Sequence, residues 1–322
     1  MTDMNLIIDG YNIAFRSHHI YDVKQGLKTS DGLPTGIVYG FLKSLLKWKD
    51  KFPHHRMIVV WDTPGGKEER REIFADYKAD RERNSDTIDV TECDVVGSSE
   101  DDGEREEQAQ MMSLFAFQVQ CLKTFLEAIG VDQAQAPKSE ADDVIHNLVT
   151  GPLSDHSNII LSSDRDLLQL VTRSTVLQTP GGKTYDPDLV KEEYHGIEPK
   201  HFLAYRSLAG DKSDGLPGLP YFRRKVIARL VSEYDGDLDS IYSSLEDEDL
   251  TEKEHEKLVS FEKQANINQQ VMSFRDREFR IVEGSQDDNR TEELCDTFEI
   301  ESIRSDLLDF NSTQGFVRFS HG

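Results

Sequence analysis

Lys138-Ser-Glu-Ala-Asp-Asp-Val-Ile-His146 sets three carboxylates, Glu140, Asp142 and Asp143, within one helical turn, after Pro137 and ahead of an apolar run. Ser139 is placed to cap that helix, so the acids fall in its first turn, where the positive end of the helix dipole tolerates them. Acids in a first turn are ordinary by themselves. The positions of the other isolated acids make them unusual. Asp9 ends the apolar run Leu6-Ile-Ile8, Asp62 follows Met57-Ile-Val-Val-Trp61, and Asp164 and Asp166 follow Asn158-Ile-Ile-Leu161. Asp211 and Asp214 sit in the glycine-rich turn Gly210-Asp-Lys-Ser-Asp-Gly-Leu-Pro-Gly218. Nine carboxylates placed this way require cations, and the expectation is a metal site.

Outward from this stretch, short strand-like runs alternate with helical patterns. Ile37, Phe41, Leu45 and Trp48 recur at helical spacing after Pro34-Thr35, and Met111 to Ile129 reads as an amphipathic helix closed by Gly130. Such alternation predicts a parallel sheet with helices on both faces. In open sheets of this kind, function collects at the carboxyl ends of the strands, where Asp9, Asp62 and Asp164 lie. Arg70, Phe74, Tyr77, Lys78 and Arg81 repeat at spacings that predict one face of a helix, with cations and rings suited to single-stranded nucleic acid. Asn84 to Gln110 holds ten acids and one base, which predicts a flexible, solvated segment. From about residue 185 the chain reads as mostly helical, and Leu245 to Gln270 as a charged helix.

Composition restricts the class. The 322 residues are 37% hydrophobic and 30% charged, with a formal charge of −24, opposite in sign to that usual for a nucleic-acid binder. Basic groups must then be concentrated locally, or the partner is something else. Three widely spaced cysteines without CxxC spacing argue against a disulfide framework or a zinc site. No basic region precedes the first apolar run, and no run approaches the ~20 residues of a membrane span. A cytoplasmic protein without membrane partners is expected. The phosphate loop GxxxxGK[ST], a GxGxxG after the first strand, the GxSxG elbow and HExxH are all missing from the sequence. Magnesium or manganese prefers carboxylate oxygens, and two such ions ~3.5–4 Å apart can clamp both oxygens of a phosphodiester displacement. Arg16, Lys78 and Arg81 are then candidates to hold the phosphate.

The motifs in order resemble the 5′-nuclease (flap endonuclease) superfamily, which includes the 5′→3′ exonuclease domain of bacterial DNA polymerase I and standalone phage enzymes. They are Ile8-Asp-Gly-Tyr-Asn12 with Arg16, Thr29-Ser-Asp-Gly-Leu-Pro-Thr-Gly36, Tyr77-Lys-Ala-Asp-Arg81, Glu140-Ala-Asp-Asp143, Ser163-Asp-Arg-Asp-Leu-Leu-Gln-Leu170 and Gly210 to Gly218. The resemblance covers roughly residues 4 to 280. It implies an α/β fold with a PIN-like, mostly parallel twisted sheet flanked by helices. A nuclease domain over 1–184 would carry a helical arch near 84–110, and a helical DNA-binding subdomain with a helix–three-turn–helix would occupy 185–322. It further implies that Asp9, Asp62, Glu140 and Asp142 bind a first ion, with Asp143 close by. Asp164, Asp166, Asp211 and Asp214 would hold a second. Arg16, Lys78 and Arg81 would contact the scissile phosphate and Tyr77 a displaced nucleotide, with Arg70, Arg83, Gly218, Arg223, Arg224 and Lys225 as further DNA contacts.

The implied reaction is metal-dependent hydrolysis leaving a 5′-phosphate, acting on DNA with a 5′ flap or a 5′ end beside duplex, or on an RNA–DNA hybrid. Because the chain ends at Gly322, a standalone enzyme without an attached polymerase is expected, a monomer of a bacterium or phage that removes flaps or primers in replication or repair. Two departures stand out. The turn that usually reads Gly-x-Gly and holds a potassium ion is here Gly218-Leu-Pro-Tyr-Phe-Arg-Arg-Lys225, where Pro220 removes an amide donor. The segment in the arch position is acidic. A PIN-like ribonuclease cutting single-stranded RNA, or a non-catalytic DNA-binding relative, is the alternative.

Overall fold

The computed structural model describes residues 4–53, 55–79 and 102–310. In chain order the elements used below are β1 (Met4–Asp9), α1 (Gly10–Ser17), α2 (Gly36–Lys51), β2 (Arg56–Val60), α3 (Glu68–Ile73), α4 (Asp102–Ala128), β3 (Asp132–Gln135), α5 (Ala141–Thr150), β4 (Ser157–Leu161), β5 (Thr175–Gln178), β6 (Thr184–Tyr185), α6 (Pro187–Glu193), α7 (Phe202–Ala209), α8 (Arg224–Glu233), α9 (Leu238–Ser243), α10 (Glu252–Met272), β7 (Arg280–Val282) and α11 (Asp288–Phe298). None of the described helices is long and apolar enough to cross a membrane.

The chain forms two compact units that interleave in sequence. Of the described residues, one unit comprises those within 4–64, 102–162 and 277–310, the other 65–79 and 163–276.

In the first unit the strands run in the order β4-β1-β2-β3-β7. β1 lies between β2 and β4, parallel to both, and β2 pairs parallel with β3. β7 closes the edge antiparallel to β3. Leu6, Ile7 and Ile8 are completely buried, as a central parallel strand covered on both faces demands. The sheet is therefore mostly parallel and flanked by helices. α5 packs on β1, β2 and β3, α4 on α2 and β3, and α11 on α4. α2 buries Ile37, Phe41, Leu45 and Trp48 as expected. Its first amides are satisfied from elsewhere: Gly36 N–H donates to Asp22 (2.7 Å) and Ile37 N–H to Gln118 (3.0 Å).

α4 begins at Asp102. The expectation of a loop up to Gln110 is thus corrected over its last nine residues (102–110), because a run rich in Glu, Gln, Ala and Met has high helix propensity despite its charge. The rest of that expectation, and the roles expected of Arg81 and Arg83, lie outside the described residues.

The second unit is largely helical, with β5 and β6 as an antiparallel pair. α7 packs on α10 and α8, and α3 on α10. Tyr77, Leu216, Val271 and Met272 form a buried cluster, with Ile73, Phe74, Leu203 and Ile267 against it.

Two acidic clusters as candidate metal centres

The first group of acids is placed by the register of the sheet, although its carboxylate oxygens are not among those that lie within 4.8 Å of one another in the described residues. Asp9 pairs with Val60, and Ile8 with Leu161, so β1, β2 and β4 finish side by side. Asp9 closes β1 and caps α1, one oxygen accepting from Asn12 N–H (3.1 Å) and the other from Ser162 Oγ (2.8 Å). Asp62 leaves the neighbouring strand and accepts Ala141 N–H at 3.2 Å. That contact corrects the expected cap. Glu140, not Ser139, occupies the N-cap position of α5, with extended backbone and no capping bond from its own side chain, so Asp62 answers the free amide from another loop. Thr63 ties the same loop down: its N–H donates to Ser139 O (3.0 Å), and its hydroxyl donates to Ala136 O (2.6 Å). Asp9, Asp62, Glu140 and the first turn of α5 with Asp142 are thereby drawn toward one edge.

Asp143 is fully buried and faces Arg277, with Nε 3.7 Å from its carboxylate, so a guanidinium stands beside this acid. Lys123 lies over the Trp61 ring at 4.7 Å. Burial lowers its pKa and the Asp62 charge opposes that shift. Arg16 is exposed at the end of α1.

The second cluster lies in the other unit. Asp166, Asp211 and Asp214 each bring a carboxylate oxygen within 4.8 Å of the others. The Gly210–Gly218 turn makes this possible. Asp211 and Leu216 exchange both backbone hydrogen bonds (2.9 and 2.7 Å), and Gly210 and Gly215 adopt φ of 75°, a conformation open to glycine. Gly218 lies so close to the backbone of Ala209 and Gly210 that no side chain fits there. Asp164 accepts Asp166 N–H at 2.8 Å and stands outside the close trio.

Arg206 on α7 bridges two members of the trio, donating from Nε to Asp166 at 3.0 Å and from Nη2 to Asp211. Burial, reinforced by Asp164 and opposed by Arg206, pushes the Asp166 carboxyl up to about 7. Asp211 goes the other way: burial alone would raise it, but Arg206 and the two bonds from Ser213 (2.8 and 2.6 Å) hold it below the ordinary carboxylate value. Both acids face the same guanidinium, and the difference comes from the deeper burial of Asp166, the repulsion of Asp164 beside it, and the two serine bonds that Asp211 alone of the pair accepts. Several carboxylates converging from separate elements, against a single guanidinium in the trio, suit a hard divalent cation. The residues fit such an ion.

The expected helical face across 70–81 is corrected. α3 ends at Ile73, Phe74 is extended (φ −142°, ψ 101°), and Lys78 is left-handed with φ 56°. The spacing matched a helix, but Tyr77 turns inward to the hydrophobic cluster. Tyr77 is therefore a core residue here and not an exposed platform. Arg70 is buried as well, donating from Nε to Val271 O at 3.0 Å, so it closes the end of α10 and presents no surface to DNA. Lys78 is buried, its N–H donating to Asp214 O (3.1 Å) and its ammonium 4.8 Å from the Tyr77 ring centre.

At the 218–225 turn, Arg223 is 72% exposed and pairs with Glu254 at 2.8 Å. That pairing, with Thr251, pushes Glu254 down to about 2. Arg224 donates to Ala209 O at 2.7 Å, and Lys225 is exposed.

Sequence reasoning overlooked Ser162, Lys123, Arg206 and Arg277. Arg206 carried a signal, a lone arginine in an apolar helix five residues before Asp211. The others become visible only through long-range packing.

Comparison with known proteins agrees with this arrangement. The family model described as 5′-3′ exonuclease, N-terminal resolvase-like domain, matches residues 4–195. A thermostable DNA polymerase I of Thermus thermophilus is 31% identical over 242 residues, 75% of this chain and 25% of that protein. The chain thus spans about a quarter of the length of such polymerase relatives. A 5′-3′ exonuclease of Buchnera aphidicola is 26% identical over 272 residues, 84% of each chain. Among solved structures, bacteriophage T5 D15 protein co-crystallized with metal ions superimposes with a TM-score of 0.63 at 16% identity, over 95% of this chain and 96% of that one. Flap endonuclease-1 of Methanococcus jannaschii gives 0.60 at 14%, over 97% and 91%. These structures share the fold. With the family model spanning more than half of its length, this chain belongs to the 5′-3′ exonuclease family, a family of nucleases.

Proposed function

We propose that this protein is a divalent-metal-dependent 5′→3′ exonuclease and 5′-flap endonuclease, hydrolysing phosphodiester bonds of DNA or of RNA primers paired with DNA. The observation that carries the reading is the Asp166, Asp211 and Asp214 trio, three carboxylates within 4.8 Å in a chain of this family. Asp9, Asp62, Glu140 and Asp142 would hold one magnesium or manganese ion, and the trio with Asp164 a second. Bound divalent ions supply positive charge against the phosphoryl oxygens as negative charge builds there. The protein's own part is orientation. Ser162 and Asn12 fix Asp9, the α5 amide fixes Asp62, and Ser213 fixes Asp211. Arg16, exposed and two helical turns from Asp9, would hold the phosphate. Asp143, beside Arg277, would orient α5 and not bind an ion directly. The 218–225 turn would meet duplex phosphates through Arg223 and Lys225 without needing potassium.

The test is cleavage of a 5′-flap duplex by wild type and Asp142→Asn, in magnesium and in chelator, with product ends scored. Cutting near the junction that needs both metal and Asp142 supports the reading. Absence of cutting with either metal refutes it, and cutting of single-stranded RNA alone replaces it with a ribonuclease.

A further inference from the structure

Tyr221 is the fully exposed large hydrophobic residue of the described chain, and it also carries a positive φ of 52°. A bulky residue in the left-handed region is held there against a steric cost. An aromatic ring in water recovers none of that cost by packing. Single exposed hydrophobics are common on protein surfaces, but they are seldom bought with backbone strain as well.

The ring stands among cations. Lys257 places its ammonium 6.0 Å from the ring centre and 3.4 Å from Tyr221 O. Arg223 and Lys225 follow within four residues and are exposed, and the nearby acid Glu254 is already engaged by Arg223 and Thr251. In a chain of charge −24, exposed cations are thus gathered beside a displayed π-face. Cations flanking an exposed ring match a polyanion that carries flat or apolar groups between its phosphates.

We propose that Tyr221 is a DNA-contacting side chain, whose ring packs against the sugar and base edge of a duplex strand while Arg223, Lys225 and Lys257 meet the adjoining phosphates. The inference rests on the nuclease reading above. It assigns to the ring a contact that a turn of glycines, offering only backbone, does not make. The left-handed backbone at Tyr221 aims the ring outward, so the strain serves display.

Three substitutions separate ring, charge and backbone. Tyr221→Asn keeps a residue that tolerates the left-handed region, and Tyr221→Gly removes the strain. Both are expected to lose about tenfold in affinity for a flap duplex in calcium or chelator, with the slope of log affinity against log salt unchanged because no charge is lost. Tyr221→Gly is also expected to melt about 2 °C higher. Tyr221→Phe should bind as wild type, and Lys257→Gln should lower the salt slope by about one. Equal duplex affinity for wild type, Tyr221→Asn and Tyr221→Gly would overturn the inference while leaving the nuclease reading standing. A wild type that neither binds nor cuts flap duplex would remove that reading itself.

Discussion

Asp166 makes a strong demand on solvent conditions. Its carboxyl is buried, and its pKa rises from the ordinary 3.8 to about 7, chiefly through burial and then through Asp164, with Arg206 opposing. An acid whose folded pKa is raised binds more protons in the folded than in the unfolded state, so stability falls as pH rises between the two values. Below pH ~4 both states are protonated and nothing is lost; above pH ~7 the full penalty applies. Three pH units at ~1.4 kcal/mol each put the penalty on the order of 4 kcal/mol for the metal-free protein. Asp166→Asn removes the titrating group while keeping the shape and a donor–acceptor pair. Urea unfolding in chelator at pH 5 and pH 8 should show wild type losing much more stability over this interval than Asp166→Asn. Repulsion among acids remote from the trio is common to both proteins and cancels in the difference, whereas the coupling of Asp166 to Asp164, Asp211 and Asp214 is removed with it and belongs to the measured effect. At pH 8, adding magnesium should stabilise wild type more than the variant. Equal pH dependence in the two proteins would refute the reasoning, because the charge in the trio would then have been balanced by Arg206 alone.

Arg70→Met should cost ~2–3 kcal/mol, since the buried guanidinium is replaced by a thioether and the Val271 carbonyl at the end of α10 loses its donor; urea midpoints measure this, and a loss below ~0.5 kcal/mol would mean water substitutes freely. Gly218→Ala should destabilise by ~1–3 kcal/mol, because its Cβ would meet the Ala209 backbone and come 2.9 Å from Gly210 N. An unchanged melting temperature would show that the turn relaxes cheaply. Asp143→Asn removes the buried carboxylate that faces Arg277 and should lower thermal stability in chelator as well as activity. If activity alone fell, Asp143 would be a direct ligand.

The ends of β1, β2 and β4 were legible because each is a short apolar run, as buried parallel strands impose, with an acid within three residues of its end. The acids at 211 and 214 were legible because glycines bracket them. β3 was not: Asp132-Gln-Ala-Gln135 turns only Ala134 fully inward, and its strand character comes from its neighbours. The helix expected over 70–81 failed because periodicity cannot distinguish a surface helix from a chain that uses one spacing for half a helix and then a turn. Tyr77 packs with Leu216 and Val271, more than a hundred residues away in sequence, and no local pattern announces that cluster. Arg277 was missed for the same reason, since its partner Asp143 comes from a distant segment.

The pairing of β3 with β7 has a consequence for how the chain is made. Gln133 meets Val282, so the edge of the first sheet is completed by residues synthesised long after the strand they cover. Until Arg280 leaves the ribosome, β3 presents open amides and carbonyls, and only its polar sequence discourages pairing with another nascent chain. A fragment stopped before residue 280 should therefore carry an unsealed edge and aggregate more readily than the full chain. The Asp and Gln residues that hid β3 from sequence reading are also the kind that make an open edge a poor template for another chain.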